Sequence, residues 1–187
     1  KEAKDRKKVL MLASVASMID QFNMPNIRLL LDLGYDVDVA CNFEKGNTCD
    51  SRQIQKMRRT LREMGVAGIQ WDCPRSIRAV GMCCVAYRQL VYLLRSRKYA
   101  WIHCHSPIGS ALARIAAHRE RIPVIYTAHG FHFYHGAPMK NWLLYYPAEA
   151  LLAHWTEVLV TVNHEDYWFA KSHFCAKKVC VIPGVGI

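Results

Sequence analysis

The 187-residue sequence lacks several features that would assign it to a class of protein at once. Its longest apolar run, residues 79–87, is less than half the length that a bilayer-spanning helix needs. No secretory signal peptide is expected, because the basic residues 1–8 lead directly into a short strand. None of the eight cysteines forms a C-x-x-C pair, and six lie in or beside apolar stretches. We therefore expect reduced thiols in a cytosolic protein, without disulfides or a zinc site.

Acidic residues are scarce: 15 Asp and Glu stand against 25 Lys and Arg, which gives a formal net charge of +10. Such an excess fits a partner rich in phosphate, namely a nucleic acid, an anionic membrane surface or a nucleotide. The alternative is a solvated basic face with no partner. Two groups of basic residues are candidates for contact with anionic lipid: Arg52, Lys56, Arg59 and Arg62 on one predicted helix, and Arg95, Arg97 and Lys98 at the end of another.

Short apolar strands alternate with helical segments along the whole chain. This pattern predicts an α/β fold, a Rossmann-like doubly wound parallel sheet of about seven strands, in one domain that covers residues 1–187. The strands are expected at 9–13, 36–41, 66–71, 101–105, 124–128, 158–162 and 179–182, and the helices at 26–33, 51–64, 77–96, 108–119, 141–155 and after Asn163. Residues 14–20 are expected to form a small-residue turn, Pro147 to kink its helix, and residues 183–187 to form a hinge.

Polar residues collect where the predicted strands end. Because ligands of doubly wound sheets bind beyond the carboxyl ends of the strands, these residues are candidates for a binding site. The loop at 129–136 is the most unusual, with three histidines, three aromatic residues and two glycines; the alternative for it is a packed aromatic loop with core histidines. The candidates are Ser14, Ser17, Asp20, His103, His105, Ser106, His129, Gly130, His132, Asn163 and Glu165.

Two kinds of site are disfavoured by what these loops lack. The turn after the first strand has no glycine, so a G-x-G-x-x-G dinucleotide site is rejected. His103 and His105 share one face of their strand and could chelate a metal, but no third ligand has a diagnostic spacing. We therefore expect no metal.

Five segments resemble the N-terminal domain of bacterial family-4 glycosyltransferases, which are retaining enzymes of GT-B architecture. The resemblance implies transfer of a sugar from a nucleotide-diphosphate sugar to a glycan acceptor, often linked to undecaprenyl diphosphate, in capsule or exopolysaccharide biosynthesis. It implies no cofactor beyond the nucleotide-sugar substrate. The segments are HCHSPIG at 103–109, YTAHGFHFYHGAP at 126–138, NWLLYYPAE at 141–149, VNHEDY at 162–167 and VIPGVGI at 181–187.

The resemblance also assigns roles to residues. His129 matches the family's histidine that faces the donor sugar, which makes it the candidate catalytic residue, and residues 14–20 match the loop nearest the donor phosphates and the acceptor. The domain that binds the nucleotide sugar, with its paired glutamates, is absent from this chain, so the fragment alone is not expected to be active. From the resemblance we expect a cytoplasmic protein that is peripheral at the inner face of the membrane. We expect no nucleic-acid partner. A basic nucleic-acid-binding module and a metal hydrolase that uses His103 and His105 remain the alternatives.

Overall fold

The structure is a computed structural model that describes residues 6–182. The predicted hinge at 183–187 and the first five residues of the basic leader lie outside the described residues. The strands are β1 Lys8–Val15, β2 Asp36–Asn42, β3 Ala67–Gln70, β4 Tyr99–His105, β5 Val124–Ala128, β6 Val158–Thr161 and β7 Lys178–Val181. The helices are α1 Ala16–Phe22, α2 Met24–Asp32, α3 Ser51–Glu63, α4 Val80–Ser96, α5 Pro107–Glu120, α6 Met139–Ala153 and α7 His164–His173.

The seven strands form one parallel sheet in the order β3-β2-β1-β4-β5-β6-β7. Helices cover both faces of this sheet, so the predicted Rossmann-like doubly wound fold is confirmed. Each predicted strand is present, and β5 has the predicted bounds. Within residues 6–182 no helix is both long enough and apolar enough to span a membrane.

The predicted turn at residues 14–20 is wrong. Ser14 and Val15 continue β1, and the chain then enters α1 without a loop. The small side chains of Ala16 and Ser17 are buried, so the first turn of α1 can lie close to the sheet. The small residues of this segment predicted a turn, but in the structure they allow the helix to pack closely on the sheet.

The helices follow their predicted bounds to within a few residues, and α4 and α6 show two local features. α4 begins at Val80 instead of residue 77, because Ser76 accepts the backbone N–H groups of Arg78 and Ala79 in a local turn. α6 is one helical segment that continues through Pro147, whose missing N–H removes one internal hydrogen bond.

The sheet separates two apolar cores. One lies under α1, α2 and α3 and contains Met11 of β1. The other lies under α4, α5, α6 and α7 and contains Ile102 and Cys104 of β4. Because side chains alternate along a strand, His103 and His105 face the first core.

A buried ion pair joins α5, α6 and β5 in the second core. Arg114 Nη1 lies 2.9 Å from Glu149 Oε2, and its guanidinium stacks 4.3 Å from the centre of the Tyr126 ring. The Arg114 side chain is almost completely buried, so removal of one partner would leave a charge without compensation. This pair fixes α6 against the strand that leads into the loop at 129–136.

Candidate functional site

The candidate site lies where β1 and β4 run side by side in the sheet. The chain leaves β1 toward β2 and leaves β4 toward β5, so a crevice opens beyond the carboxyl ends of these two strands. α1 follows β1 on one face of the sheet, and α5 follows β4 on the other. Residues at the tips of β1, β4 and β5 therefore meet at one edge.

A pair of serines joins the tips of β1 and β4. The Oγ atoms of Ser14 and Ser106 lie 2.7 Å apart, and the Ser14 N–H donates to Ser106 Oγ over 3.1 Å. Ser106 donates its own hydroxyl hydrogen to the carbonyl oxygen of His105. The Ser14 hydroxyl must therefore donate to Ser106 Oγ. The thiol of Cys73 in turn donates to the Ser14 oxygen over 3.5 Å. This serine pair is bonded internally, and its contact with a substrate stays a prediction.

Two backbone features make the serine pair possible. Ser106 has φ +67° and ψ 143°, a conformation that L residues rarely adopt and that costs about 1–3 kcal/mol. Gly109 lies in the first turn of α5, where a Cβ atom would lie 2.9 Å from the Oγ of both Ser14 and Ser106. Glycine is needed there because any side chain would push the two strand tips apart.

Three histidines form the centre of the site. His105 Nδ1 lies 3.2 Å from His129 Nε2, and the rings of His103 and His105 are 4.3 Å apart between centroids. His103 Nε2 is hydrogen-bonded to Thr127 Oγ1 at 2.8 Å. The sequence predicted that His103 and His105 share a face, and the structure adds His129 to them. We call these three residues the histidine cluster.

The contacts of the cluster indicate which nitrogens carry hydrogen. His105 Nε2 lies 3.3 Å from the sulfur of Met11, which can only accept a hydrogen bond. We infer that His105 Nε2 carries the hydrogen and that Nδ1 accepts from the Nε2–H of His129. His129 Nδ1 then keeps a lone pair, and it has no hydrogen-bond partner within residues 6–182. This half-buried nitrogen can accept a hydrogen bond from a hydroxyl group.

The cluster is held in the neutral form. Burial, together with the neighbouring His129, lowers the pKa of His103 to about 4. Burial lowers the pKa of His105 well below its usual value, with added repulsion from the other two imidazoles, and burial also lowers the pKa of His129. At neutral pH the cluster therefore supplies hydrogen-bonding groups without charge.

The sequence left open whether the loop after β5 is a binding loop or a packed aromatic loop, and the structure shows that part of it is packed. Phe131 and Phe133 are buried and stack with 5.0 Å between ring centroids, so this part of the loop is packed core. Gly130 has φ +119°, which turns the chain between His129 and that core. The backbone N–H of Phe131 donates to Asp166 Oδ2 over 3.2 Å. The loop is thus tied to the start of α7 two residues after His129.

Besides Gly130, five candidate residues lie outside the cluster and the serine pair. The Ser17 N–H donates to Asn47, and Asp20 accepts from Gln53, so these two residues hold α1 against the segment after β2. His132 is exposed and packs edge-on against Tyr145 of α6. Asn163 accepts the Asp166 N–H as the predicted cap of α7, and Glu165 is exposed in the first turn of that helix. Contact of these five with a ligand stays a prediction.

Sequence reasoning missed four residues that shape the site. Thr127 and Met11 orient the histidines, Gly109 permits the serine contact, and Asp166 ties the loop after β5. Gly109 could have been found, since a glycine in the first turn of a predicted helix indicates a close approach. Met11 and Thr127 gave no signal, because both are ordinary strand residues.

The structure offers few ligands for a metal. Within residues 6–182, no group of three His, Cys, Asp or Glu side chains is placed to hold an ion. Both ring nitrogens of His105 already have partners, so His103 and His105 do not converge on a shared point. The expectation about cofactors stays a prediction.

Residues 24–184 match the family described as "Glycosyl transferase 4-like domain". The chain is 39% identical over 169 residues to the "Putative glycosyltransferase EpsD" of Bacillus subtilis (strain 168), an alignment that covers 88% of this chain and 40% of that protein. It is 34% identical over 95 residues to the Escherichia coli "UDP-Gal:alpha-D-GlcNAc-diphosphoundecaprenol alpha-1,3-galactosyltransferase", which covers 50% of this chain and 23% of that protein. The chain thus spans well under half the length of these curated relatives.

A solved structure agrees with the fold. Anabaena Alr3699/HepE, in complex with UDP and glucose, superposes with a TM-score of 0.65 over 97% of this chain and 45% of its own, at 14% identity. At this identity the likeness shows the fold alone. The family match and the EpsD relative confirm the resemblance found in the sequence, and the chain belongs to the glycosyl transferase 4-like domain family.

Proposed function

We propose that this chain is the acceptor-side domain of a retaining glycosyltransferase that acts on a lipid-linked glycan. The observation that carries the proposal is the family match over residues 24–184, together with a neutral histidine whose free acceptor nitrogen lies at the crevice. In this proposal a further domain binds the nucleotide sugar, and the match covers only 40% of the EpsD relative.

The names of the relatives support both substrates. The E. coli relative is named for transfer of galactose from UDP-Gal to a sugar on diphosphoundecaprenol, and Alr3699/HepE was solved with UDP and glucose. We therefore assign a nucleotide-diphosphate sugar as donor and a polyprenyl-diphosphate glycan as acceptor. The matching physiological role is polysaccharide biosynthesis at the cytoplasmic face of the membrane.

The reaction breaks the bond between the anomeric carbon and the donor diphosphate. A hydroxyl oxygen of the acceptor forms the new bond on the same face, and its proton passes to the departing phosphate. The transition state places positive charge on the sugar and negative charge on the leaving group. A protonated imidazole would repel that sugar, so a neutral His129 that accepts a sugar hydroxyl suits the step better than a cation. In this proposal His129 orients the donor and does not act as a base.

The serine pair and the histidine cluster have separate roles. The serine pair closes the tips of β1 and β4, and so sets the width of the crevice. His103 and His105 support the third histidine through a chain of contacts from Thr127 and Met11. We propose that these residues position His129, and that Ser14, Ser106 and Gly130 line the acceptor side.

The decisive experiment uses the complete gene product. A panel of labelled nucleotide sugars is supplied with bacterial lipid acceptors, and transfer of label to lipid is measured. His129→Ala should abolish most transfer, whereas His118→Ala should leave it near wild type, because His118 is exposed in the last turn of α5, at the end that leads away from the crevice. Equal activity of the two variants would remove His129 from the mechanism. No transfer from any donor to any glycan acceptor would overturn the function.

A further inference from the structure

A partly accessible carboxylate lies at the edge of the sheet where the crevice opens. Asp72 follows the last residue of β3 by two positions, so it lies beyond the carboxyl end of that strand. The next residue, Cys73, is buried, and its thiol donates to the Ser14 oxygen of the serine pair over 3.5 Å. The chain therefore brings the Asp72 carboxylate to the crevice, one residue away from a direct contact with the serine pair.

Two glutamine side chains hold this carboxylate in place. Gln70 Nε2 donates to Asp72 Oδ1 over 2.8 Å, and Gln89 Nε2 donates to Asp72 Oδ2 over 2.6 Å. The backbone N–H of Phe43 donates to Gln70 Oε1, which fixes the orientation of that amide. The backbone N–H of Asp72 donates to Gln89 Oε1 and fixes the other amide in the same way. We call Gln70, Asp72 and Gln89 the carboxylate network, which joins β3 to α4.

The carboxylate network keeps hydrogen-bonding capacity for a ligand. Each carboxylate oxygen can accept two hydrogen bonds, and within residues 6–182 each oxygen of Asp72 receives one. The Gln89 amide nitrogen carries two hydrogens, and in the same part of the chain one of them has a partner. A free acceptor therefore lies beside a free donor. This pair suits a hydroxyl group, because a hydroxyl donates one hydrogen bond and accepts others.

The charge of the carboxylate network disfavours ligands of two other kinds. Hydrogen bonds from Gln70 and Gln89 lower the pKa of Asp72, so the group is ionised at neutral pH and is a weak base. An ionised carboxylate repels a phosphate group. A cation would face the hydrogens of the two amides that already bond to the carboxylate oxygens. The uncharged, hydroxyl-rich part of a glycan fits the network better than either.

We propose that Asp72 selects the acceptor sugar, by accepting a hydrogen bond from one of its non-reacting hydroxyl groups while Gln89 donates to the same hydroxyl. This inference deepens the proposed function and rests on it, since it names the residue that recognises the acceptor. Asp72 acts in binding, because the proton of the reacting hydroxyl passes to the departing phosphate. A site built to hydrogen-bond a hydroxyl group rejects the analogue that lacks it, so the network gives specificity.

The test is isothermal titration of the 187-residue chain with soluble acceptors, each a sugar diphosphate on a short alkyl chain. The sugars are N-acetylglucosamine, which the name of the E. coli relative suggests, N-acetylgalactosamine, glucose and galactose. Asp72→Asn should weaken binding of the preferred sugar about tenfold or more, because a hydrogen bond to a charged group is lost. Asp32→Asn is the matched control: it removes the same charge from an exposed site at the end of α2, near the amino end of β2, and should leave affinity unchanged.

Deoxygenated acceptors separate sugar contact from the structural tie between β3 and α4. Each analogue of the preferred sugar lacks one hydroxyl, at C3, C4 or C6. One analogue should bind wild type about tenfold more weakly, and Asp72→Asn should change the affinity for that analogue less than about twofold. Gln89→Ala should show the same selective loss at a smaller size, about fivefold for the complete sugar, because a neutral donor is removed. Thermal melting verifies that each variant is folded.

A purely structural role of Asp72 would weaken binding of every analogue by the same factor, and that result would overturn the inference. The inference also fails if both Asp72→Asn and Gln89→Ala bind as wild type does. It fails as well if the wild type binds none of the four sugars.

Transfer by the complete gene product distinguishes a failure of this inference from a failure of the proposed function. Asp72→Asn should raise the KM for the acceptor and leave the KM for the nucleotide sugar unchanged. Transfer with both KM values unchanged in this variant would overturn the role of Asp72 and leave the enzyme standing. Selective sugar binding that depends on Asp72, without transfer from any donor, would uphold the sugar site and overturn the enzyme.

Discussion

Substitution of Asp166 has a clear predicted effect, because its carboxylate ties the loop that carries His129 to α7. Its Oδ2 accepts the buried backbone N–H of Phe131 over 3.2 Å and the side-chain amide of Asn163 over 2.8 Å. The carboxylate also lies in the first turn of α7, where the helix dipole favours a negative charge. Asp166→Ala removes all three interactions at once.

The expected loss of free energy of unfolding is estimated from each of these interactions in turn. A hydrogen bond from a buried N–H to a charged group contributes about 1.5–3 kcal/mol, and the dipole adds about 0.3–1 kcal/mol. The exposed amide of Asn163 adds less, so Asp166→Ala should lower the free energy of unfolding by about 3 kcal/mol. Asn163→Ala removes the cap and one contact of Asp166 but leaves the bond to Phe131, so it should cost about 1 kcal/mol.

Urea unfolding of the wild type and both variants measures these values. The difference between the variants, about 2 kcal/mol, reports the bond between Asp166 and Phe131. In the complete gene product, Asp166→Ala should also reduce transfer more than Asn163→Ala does, because His129 lies two residues before the released N–H. If Asp166→Ala is no more destabilising than Asn163→Ala, the tether does not hold the loop and this reasoning fails.

Three further predictions concern the histidines, the crevice and the core. Burial lowers the pKa of His103 to about 4, below its unfolded value near 6.5. Protonation of His103 therefore destabilises the folded state. His103 alone should lower the free energy of unfolding by up to about 3 kcal/mol as pH falls from 6.5 to 4, and His103→Gln should flatten the slope of stability against pH in urea titrations at several pH values. Gly109→Ala should destabilise by about 1–2 kcal/mol through the clash with the serine pair, whereas Gly81→Ala, with nothing within 4 Å of its added Cβ, should stabilise slightly in thermal melts. Arg114→Met should cost about 3–5 kcal/mol, but Arg114→Met with Glu149→Leu should cost clearly less than the sum of the single changes, which a double-mutant cycle measures.

The fold could be predicted because its signals are local. An apolar run such as residues 124–128, bounded by proline and a polar loop, already indicates a buried strand. The failure at residues 14–20 has a physical cause. Small residues indicate a turn when they are solvated and a close contact when they are packed, and burial against the sheet depends on the remaining chain.

The site could be predicted only in part. Alternation within β4 was enough to put His103 and His105 on one face. The register between neighbouring strands could not be predicted from the sequence. This register decides which side chains lie beside His103 and His105. β1 pairs Met11 with His103, and β5 pairs Thr127 with His105, so the two side chains beside the cluster come from the two strands that flank β4.

This register has a chemical consequence that reaches the proposed mechanism. The sulfur of Met11 accepts from one nitrogen of His105, which leaves the other nitrogen to accept from His129. That arrangement leaves the free lone pair of His129 on the nitrogen that can meet a substrate hydroxyl. A thioether in the first strand therefore determines what the histidine after the fifth strand can do. Because the thioether has no charge and burial keeps the imidazoles neutral, the site can face a sugar that develops positive charge without repelling it.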